Sequence, residues 1–173
     1  MINIHPVFVH FPIALFLLYG GLELLRFTPL KTKEAYFYVK AVLVILGSIS
    51  AWITLQTGEL AEEAFQNSAA EQLVETHSAF ATASTIIFSI IAAAYLISWI
   101  EKEQWLHLQE GSTLQKIWNV LKKIEWLLIE TPLVYVIVLA GILCITITGA
   151  LGGTIVYGPD IDPLANFVYH LFF

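Results

Sequence analysis

Residues 133–157 read LVYVIVLAGILCITITGALGGTIVY and contain no charged side chain. A helix needs about 20 mostly apolar residues to cross the ~30 Å hydrocarbon layer of a bilayer, and this stretch is long enough. Inside a membrane the backbone polar groups must be hydrogen-bonded within the segment, which a helix achieves. The stretch therefore predicts a transmembrane helix.

Three further apolar stretches predict transmembrane helices of the same kind. Glu23 interrupts the first, and we expect it to pair with Arg26 at i+3. Lys40 begins the second, and its long stem is expected to carry the charge to the interface. The predicted fold is all-α, an integral membrane four-helix bundle formed by residues 1–173 as a single transmembrane domain. Its spans are about 7–26, 36–57, 77–100 and 133–157.

Composition agrees with this prediction and excludes several function classes. Of the 173 residues, 58% are hydrophobic and 13% are charged, against about 25% charged residues in soluble domains. The net charge of −6 argues against a nucleic-acid partner. Cys144 is the only cysteine, so neither an internal disulfide nor a zinc ribbon can form.

Motifs of the common soluble enzymes are absent from the sequence. It has no P-loop, dinucleotide fingerprint or Ser/His/Asp set, which disfavours an NTPase, a dehydrogenase or a soluble-type hydrolase. Transport is less favoured because no span carries a charge near its middle and the four helices show no clear internal repeat. An electron carrier or a subunit of a complex is therefore favoured over a stand-alone enzyme.

The distribution of basic residues predicts the orientation. All 8 Lys and Arg residues lie in or beside the first and third connections, whereas residues 58–76 and the tail after Tyr157 contain only acidic charges. Cytoplasmic loops hold the excess of positive charge. The sequence thus predicts a multi-pass protein of the bacterial inner membrane with both termini outside. The N-terminus lacks a basic n-region, so the first span is expected to be retained.

Segments outside the spans also show patterns. Ser68 and Glu71 fit a capping box, which predicts that the third helix begins more than two turns before His77. Residues 113–130 predict an inner-face amphipathic helix lying on anionic lipid; the alternative is a helix packed under the bundle or against another subunit. The aromatic tail from Phe167 to Phe173 is expected to lie along the outer interface or to dock on a partner.

The predicted orientation places His5, His10, His77 and His170 at the outer end. Ionisable groups at membrane depth are costly and are often functional. A single histidine is usually an ordinary hydrogen-bonded residue, but four from three segments at one depth favour a site. Neutral imidazole binds haem iron, zinc and copper, and membrane bundles hold b-type haem between histidines on facing helices.

Depth alone leaves the axial pair open. Our first choice is His10 with His77, and helix tilt and the distortion from a proline can bring them level. His5 matches the depth of His77 better, but it precedes Pro6 and is expected to lie just before the helix. His5 and His170 are therefore the reserve ligands.

A non-haem site is the chemical alternative. Glu59 and Glu62 follow the end of the second span, and Glu59 with His10 and His77 could bind copper or zinc. The ordinary explanation of these carboxylates is a solvated acidic loop.

Small residues predict close contacts within the bundle. Gly149 and Gly153 form a GxxxG, which allows a neighbouring helix or a flat macrocycle to approach the backbone. Gly47, Ser48 and Ala51 are most simply a helix contact face.

Three features carry a family resemblance. They are the string HPVFVHFPI at 5–13, the lone His77 that opens the third span, and the string GGTIVYG at 152–158. Together they resemble a bacterial family of small membrane proteins of unknown function with an HPxxVHFP and a GGxxVY signature. The resemblance covers nearly the whole chain, and the family's shared histidines correspond to His5, His10 and His77. It implies a four-span domain. Related domains occur fused to c-type cytochrome or Rieske-like modules, which implies a redox setting.

The sequence thus favours a b-type haem-binding electron-transfer subunit with its site near the outer, periplasmic face. The alternatives are a non-catalytic membrane anchor or assembly subunit of a larger complex, and a non-haem metal-binding protein. Expected partners are the lipid bilayer, a periplasmic cytochrome or larger redox complex, and a second copy of the chain.

Overall fold

The computed structural model describes residues 4–25, 34–62 and 65–173, and these ranges contain six α-helices and no strand. Four of the helices are long and apolar enough to cross a membrane, as an integral membrane protein requires. The all-α bundle predicted from the sequence is confirmed. The helices are α1 (His5–Leu24), α2 (Glu34–Glu62), α3 (Glu71–Lys102), α4 (Thr113–Glu125), α5 (Leu133–Tyr157) and α6 (Pro163–Phe172).

The helix termini follow local chemistry. His5 is the first residue of α1 and not part of a preceding loop, because Pro6 suits the first turn of a helix, where no N–H is needed. Gly158 ends α5 with a φ of 88°, which favours glycine. α3 begins at Glu71, fewer than two turns before His77 and later than predicted.

The difference at α3 has a local cause. The carboxylate of Glu71 accepts a hydrogen bond from the Asn67 N–H at 2.9 Å, and the Ser68 hydroxyl accepts one from the Ala70 N–H at 3.2 Å. Both bonds close a turn ahead of the helix. The expected capping box, in which Ser68 and Glu71 cap each other reciprocally, is replaced by this turn.

Two antiparallel hairpins form the bundle, since α1 packs chiefly on α2 and α3 on α5. One end of the bundle, where α1 and α3 begin and α2 and α5 end, is named the histidine end. The opposite end, named the lysine end, holds the described lysines: Lys40, Lys102, Lys116, Lys122 and Lys123.

The core between the hairpins is aromatic and close-packed. Phe16 and Phe88 are both buried, and their rings stack with centres 4.1 Å apart. Gly47 lies against Phe16, where an added Cβ would come within 2.7 Å of the ring. Gly47, Ser48 and Ala51 are buried together, which agrees with the predicted contact face on α2.

A buried ion pair joins α1 to α2 near the lysine end. The ammonium of Lys40 donates to the Glu23 carboxylate at 2.8 Å, and the hydroxyl of Tyr95 donates to the same oxygen at 2.8 Å. Lys40 therefore does not extend to the interface as predicted, because a buried carboxylate is far less costly with a cation beside it. Arg26, the predicted partner of Glu23, lies outside the described residues.

The two hairpins repeat one another in sequence, so the expectation of no internal repeat is wrong. The pattern His-x2-Phe-x7-Phe occurs in α1 from His5 and in α3 from His77. The pattern Val-x2-Gly-x5-Ile-Thr-x3-Gly occurs in α2 from Val44 and in α5 from Val138. The repeat is hard to see along the chain because the connection within the second hairpin is much longer and contains α4.

The amphipathic segment forms α4, followed by a π-helical turn at Trp126–Glu130. Glu101 at the end of α3 accepts hydrogen bonds from the indole N–H of Trp118 at 2.9 Å and from the ammonium of Lys122 at 2.5 Å. One flank of α4 thus packs on α3, while Ile117 and Val120 on the other flank are exposed. α4 thus combines a packed flank with an exposed apolar face.

The aromatic tail forms α6, which packs against the bundle. Asp162 caps α6, and the helix folds back along α5 and α3. Val168 is buried in a cluster that includes Leu151, and the ring of Phe172 contacts that of Phe80 with centres 5.3 Å apart. The tail therefore closes the outside of the bundle beside the start of α3.

Candidate functional site

His5 and His77 meet between the two hairpins at the histidine end. Their ring centres are 6.5 Å apart, and the ring planes are almost perpendicular at 87°. Each residue lies near the start of its helix, and both are half-buried.

His77 is held by α5. Its Nδ1 lies 2.9 Å from the carbonyl oxygen of Thr148, so the Nδ1–H donates to that oxygen. One turn further along α5, Gly152 faces the imidazole edge, where an added Cβ would come within 3.2 Å of Cε1. An alanine at position 152 would therefore require the ring of His77 to move by a few tenths of an ångström.

His5 is held by α2 in the same way. Its Nδ1 is 3.2 Å from the carbonyl oxygen of Thr54 and 3.2 Å from Oγ1 of Thr57. Gly58 stands one turn after Thr54, and an added Cβ there would also come within 3.2 Å of Cε1. Each histidine thus has a cradle made of a threonine carbonyl and a glycine four residues later.

These hydrogen bonds set the chemistry of the rings. A backbone carbonyl accepts only from a protonated nitrogen, so each pairing assigns the proton to Nδ1. The lone pair then belongs to Nε2, which is the arrangement of metal-binding histidines whose other nitrogen donates to a carbonyl. Both imidazoles are therefore in the tautomer in which Nε2 is the atom that could bind a metal.

The structure places the other predicted histidines outside this pair. His10 is exposed on α1, and at about 100° per residue it is rotated roughly 140° around the helix from His5. His170 is exposed on α6, where its ring contacts that of Tyr169 with centres 5.5 Å apart. His10 was the first choice from the sequence although His5 matched the depth of His77 better, and rotation about the helix axis turns His10 away from the side of α1 that carries His5.

The carboxylates predicted for a non-haem site form no three-residue metal-binding group with the imidazoles in the described residues. Glu59 is exposed, and Glu62 lines a shallow surface cavity of about 200 Å³ with Glu71 and Glu75. Within residues 4–25, 34–62 and 65–173, no group of three or more His, Cys, Asp or Glu side chains could hold a metal ion. The described part of the site offers two imidazole ligands.

Among the described residues, the two glycines of the GxxxG in α5 do not make the close helix contact predicted for them. An added Cβ at Gly149 or Gly153 would meet nothing within 4 Å, so neither residue contacts another helix of the described chain. Gly152, between them, makes the close contact, and its partner is an imidazole. The threonine and glycine cradles were missed from the sequence, although the shared Ile-Thr-x3-Gly string of α2 and α5 was the signal that could have revealed them.

Neither a family model, nor a curated protein, nor a solved structure matches this chain. The resemblance to a four-span membrane family therefore stays a prediction, and the site rests on the chain's own geometry.

Proposed function

We propose that this chain is a membrane electron carrier that binds haem b at the histidine end, with His5 and His77 as the axial ligands. The observation that supports the proposal is the cradled pair: two imidazoles on facing hairpins, each with Nδ1 on a backbone carbonyl. Bound haem supplies one-electron chemistry, and the protein supplies the ligands and their orientation.

The spacing of the rings supports a shared metal centre. A metal ion lies about 2 Å from each imidazole nitrogen, so adding the two ring radii places the ring centres about 6 Å apart when both imidazoles bind one ion from opposite sides. The observed separation is 6.5 Å. Each imidazole could rotate about its own bond to the iron, so the perpendicular planes of the two rings are compatible with both binding one haem.

The number of ligands favours haem over a bare ion. Zinc sites in proteins use three or four protein ligands, whereas a haem iron already has four porphyrin nitrogens and needs two axial groups. The described residues supply two imidazoles and no three-residue group. His5 and His77 fit the axial requirement.

The surroundings suggest how the chain's own residues serve this function. The Thr54 and Thr148 carbonyls keep the Nδ1 protons in place and raise the basicity of each Nε2. The described lysines lie at the opposite end of the bundle, and positive charge favours the cytoplasmic side. We therefore propose that the histidine end faces the periplasm of a bacterial inner membrane, where a periplasmic cytochrome or larger redox complex exchanges electrons with it.

The test is an absorption spectrum of detergent-purified protein expressed with ample haem, first oxidised and then reduced with dithionite. We expect a Soret band and a sharp reduced α-band of the b type, both lost in His5→Ala and in His77→Ala. His10→Ala is the matched control on the same helix, and its spectrum should equal that of the wild type. A colourless wild-type protein would contradict the proposal.

A non-haem copper or zinc site is the second candidate. It is favoured by the ring spacing, because a single ion fits between the two imidazoles without a macrocycle. Stoichiometric copper or zinc in a colourless protein, lost in His77→Ala, would support it. A protein with neither haem nor metal that co-purifies with other subunits would support a membrane anchor instead.

A further inference from the structure

The repeated sequence patterns become a structural symmetry at the level of contacts. Gly47 faces Phe16 in the first hairpin, and Gly141 faces Phe88 in the second, with added Cβ atoms at 2.7 Å and 2.9 Å from the respective rings. The next contacts also correspond, since Leu15 and Ile87 precede those two phenylalanines and touch the same glycine positions. The two hairpins therefore pack internally in the same way.

Contacts between the hairpins show where the symmetry axis runs. In a two-fold arrangement, residues on the axis meet their own equivalents. His5 and His77 occupy equivalent positions, as do Phe16 and Phe88, and each residue contacts its equivalent: the ring centres are 6.5 Å and 4.1 Å apart.

A third equivalent pair lies on the same line at the lysine end. Glu23 and Tyr95 have the same offset in residue number as His5 and His77, and the Tyr95 hydroxyl donates to the Glu23 carboxylate at 2.8 Å. Three pairs at three depths along α1 and α3 define one axis. Because α1 and α3 both begin at the histidine end, this axis runs along the bundle, as it does in proteins with parallel membrane repeats.

We infer that the chain consists of two equivalent halves, each contributing one half-site, and that the ligand lies on the pseudo-two-fold axis between them. Each half-site is an imidazole, a threonine carbonyl and a glycine: His5, Thr54 and Gly58 in one half, and His77, Thr148 and Gly152 in the other. Gly58 and Gly152 are positioning residues with the same role, because each lies directly against the imidazole of its own half-site. The inference rests on the proposed bis-histidine site and adds the equivalence of its two sides.

The symmetry does not extend to the polar residues Glu23, Lys40 and Tyr95 near the lysine end. Glu23 and Tyr95 occupy equivalent positions but differ in chemistry, and Lys40 corresponds to Val134 in the second hairpin. The two halves are therefore equivalent at the histidine end, and the test uses only residues of that end.

The first arm of the test uses the ligand-free full chain in detergent, labelled with ¹⁵N-histidine for NMR. We expect His5 and His77 to carry the proton on Nδ1. Gly58→Ala should shift the His5 signals and leave those of His77 unchanged, and Gly152→Ala should do the reverse. Different tautomers for the two histidines in the wild type would overturn the equivalence whether or not haem binds.

The second arm is a haem titration of the same variants. Displacing an imidazole from its carbonyl partner should weaken binding about 10–100-fold, by a similar factor in Gly58→Ala and Gly152→Ala. Gly149→Ala and Gly153→Ala are the matched controls, because a methyl group at either position meets open space. Circular dichroism should show all four variants folded.

The outcomes separate the two claims. If only one cradle glycine affects haem binding, the equivalence is overturned while the proposed haem function stands. If both behave like the controls, the positioning role of the two glycines is overturned. If the wild type binds no haem, the proposed function fails, and the NMR arm still decides whether the two half-sites are equivalent.

Discussion

The rings of Phe16 and Phe88 stack at 4.1 Å between centres, with their planes only 15° apart, at equivalent positions of the two hairpins. Both side chains are almost fully buried, at 1% and 0% exposure. They connect α1 to α3 midway along the bundle, below the histidine pair. The distance between His5 and His77 therefore depends on how this aromatic contact holds the two hairpins together.

Removing either ring should destabilise the bundle. Phe→Ala in a packed core costs about 3–5 kcal/mol, so we expect Phe16→Ala and Phe88→Ala to lower the thermal midpoint in detergent by similar amounts. Phe11→Ala is the control, because that side chain is 58% exposed. Equal midpoints for Phe11→Ala and Phe16→Ala would contradict the packing described above.

The glycines beneath these rings should not tolerate a methyl group. Gly47→Ala and Gly141→Ala force a Cβ within 3 Å of a phenylalanine ring, and overpacking costs about 1–3 kcal/mol. Gly149→Ala lacks that clash and gains helix propensity of about 1 kcal/mol. Unfolding followed by circular dichroism should rank Gly149→Ala above both other variants, and a reversed order would refute the close contacts.

Replacing only one member of the buried pair of Glu23 and Lys40 should destabilise the protein more than replacing both. Lys40→Met removes a cation from beside a buried carboxylate, which costs about 3–5 kcal/mol. Adding Glu23→Gln removes the remaining charge, so the double variant should recover most of the lost stability. A double variant as unstable as Lys40→Met alone would show that the charges are not coupled.

The attachment of α4 should depend on Glu101. Glu101→Gln weakens the bonds from Trp118 and Lys122, so amide hydrogen exchange should speed up in residues 113–125 and stay unchanged in α5. Glu110→Gln, in the exposed loop ahead of α4, is the control. Unchanged exchange in α4 would mean that other contacts hold the helix.

Much of the fold could be predicted from the sequence because apolar length is a strong signal. The uncharged runs ending at Ile100 and Tyr157 leave few alternatives to membrane helices. The pair of Glu23 and Lys40 could not be predicted from local spacing, because the two residues are 17 positions apart and meet only through the packing of α1 on α2. Tertiary contacts of this kind are not encoded in local spacing.

The residues of the candidate site could be predicted only in part from the sequence. The histidine positions predicted that His5 and His77 lie at the same end of the bundle, and the structure brings the two rings together there. Depth along the chain matched His5 to His77, but His5 was expected to lie just before the helix, so His10 was ranked first. α1 begins at His5, and His10 is rotated roughly 140° around that helix from His5.

The most direct test of the account is the reduced-minus-oxidised absorption spectrum of the purified wild type beside His5→Ala, His77→Ala and His10→Ala. A b-type α-band in the wild type and in His10→Ala, and its loss in both other variants, is the predicted result. An α-band lost in His10→Ala and kept in His5→Ala, or no band in haem-replete wild type, would contradict the central claim that His5 and His77 are the axial pair.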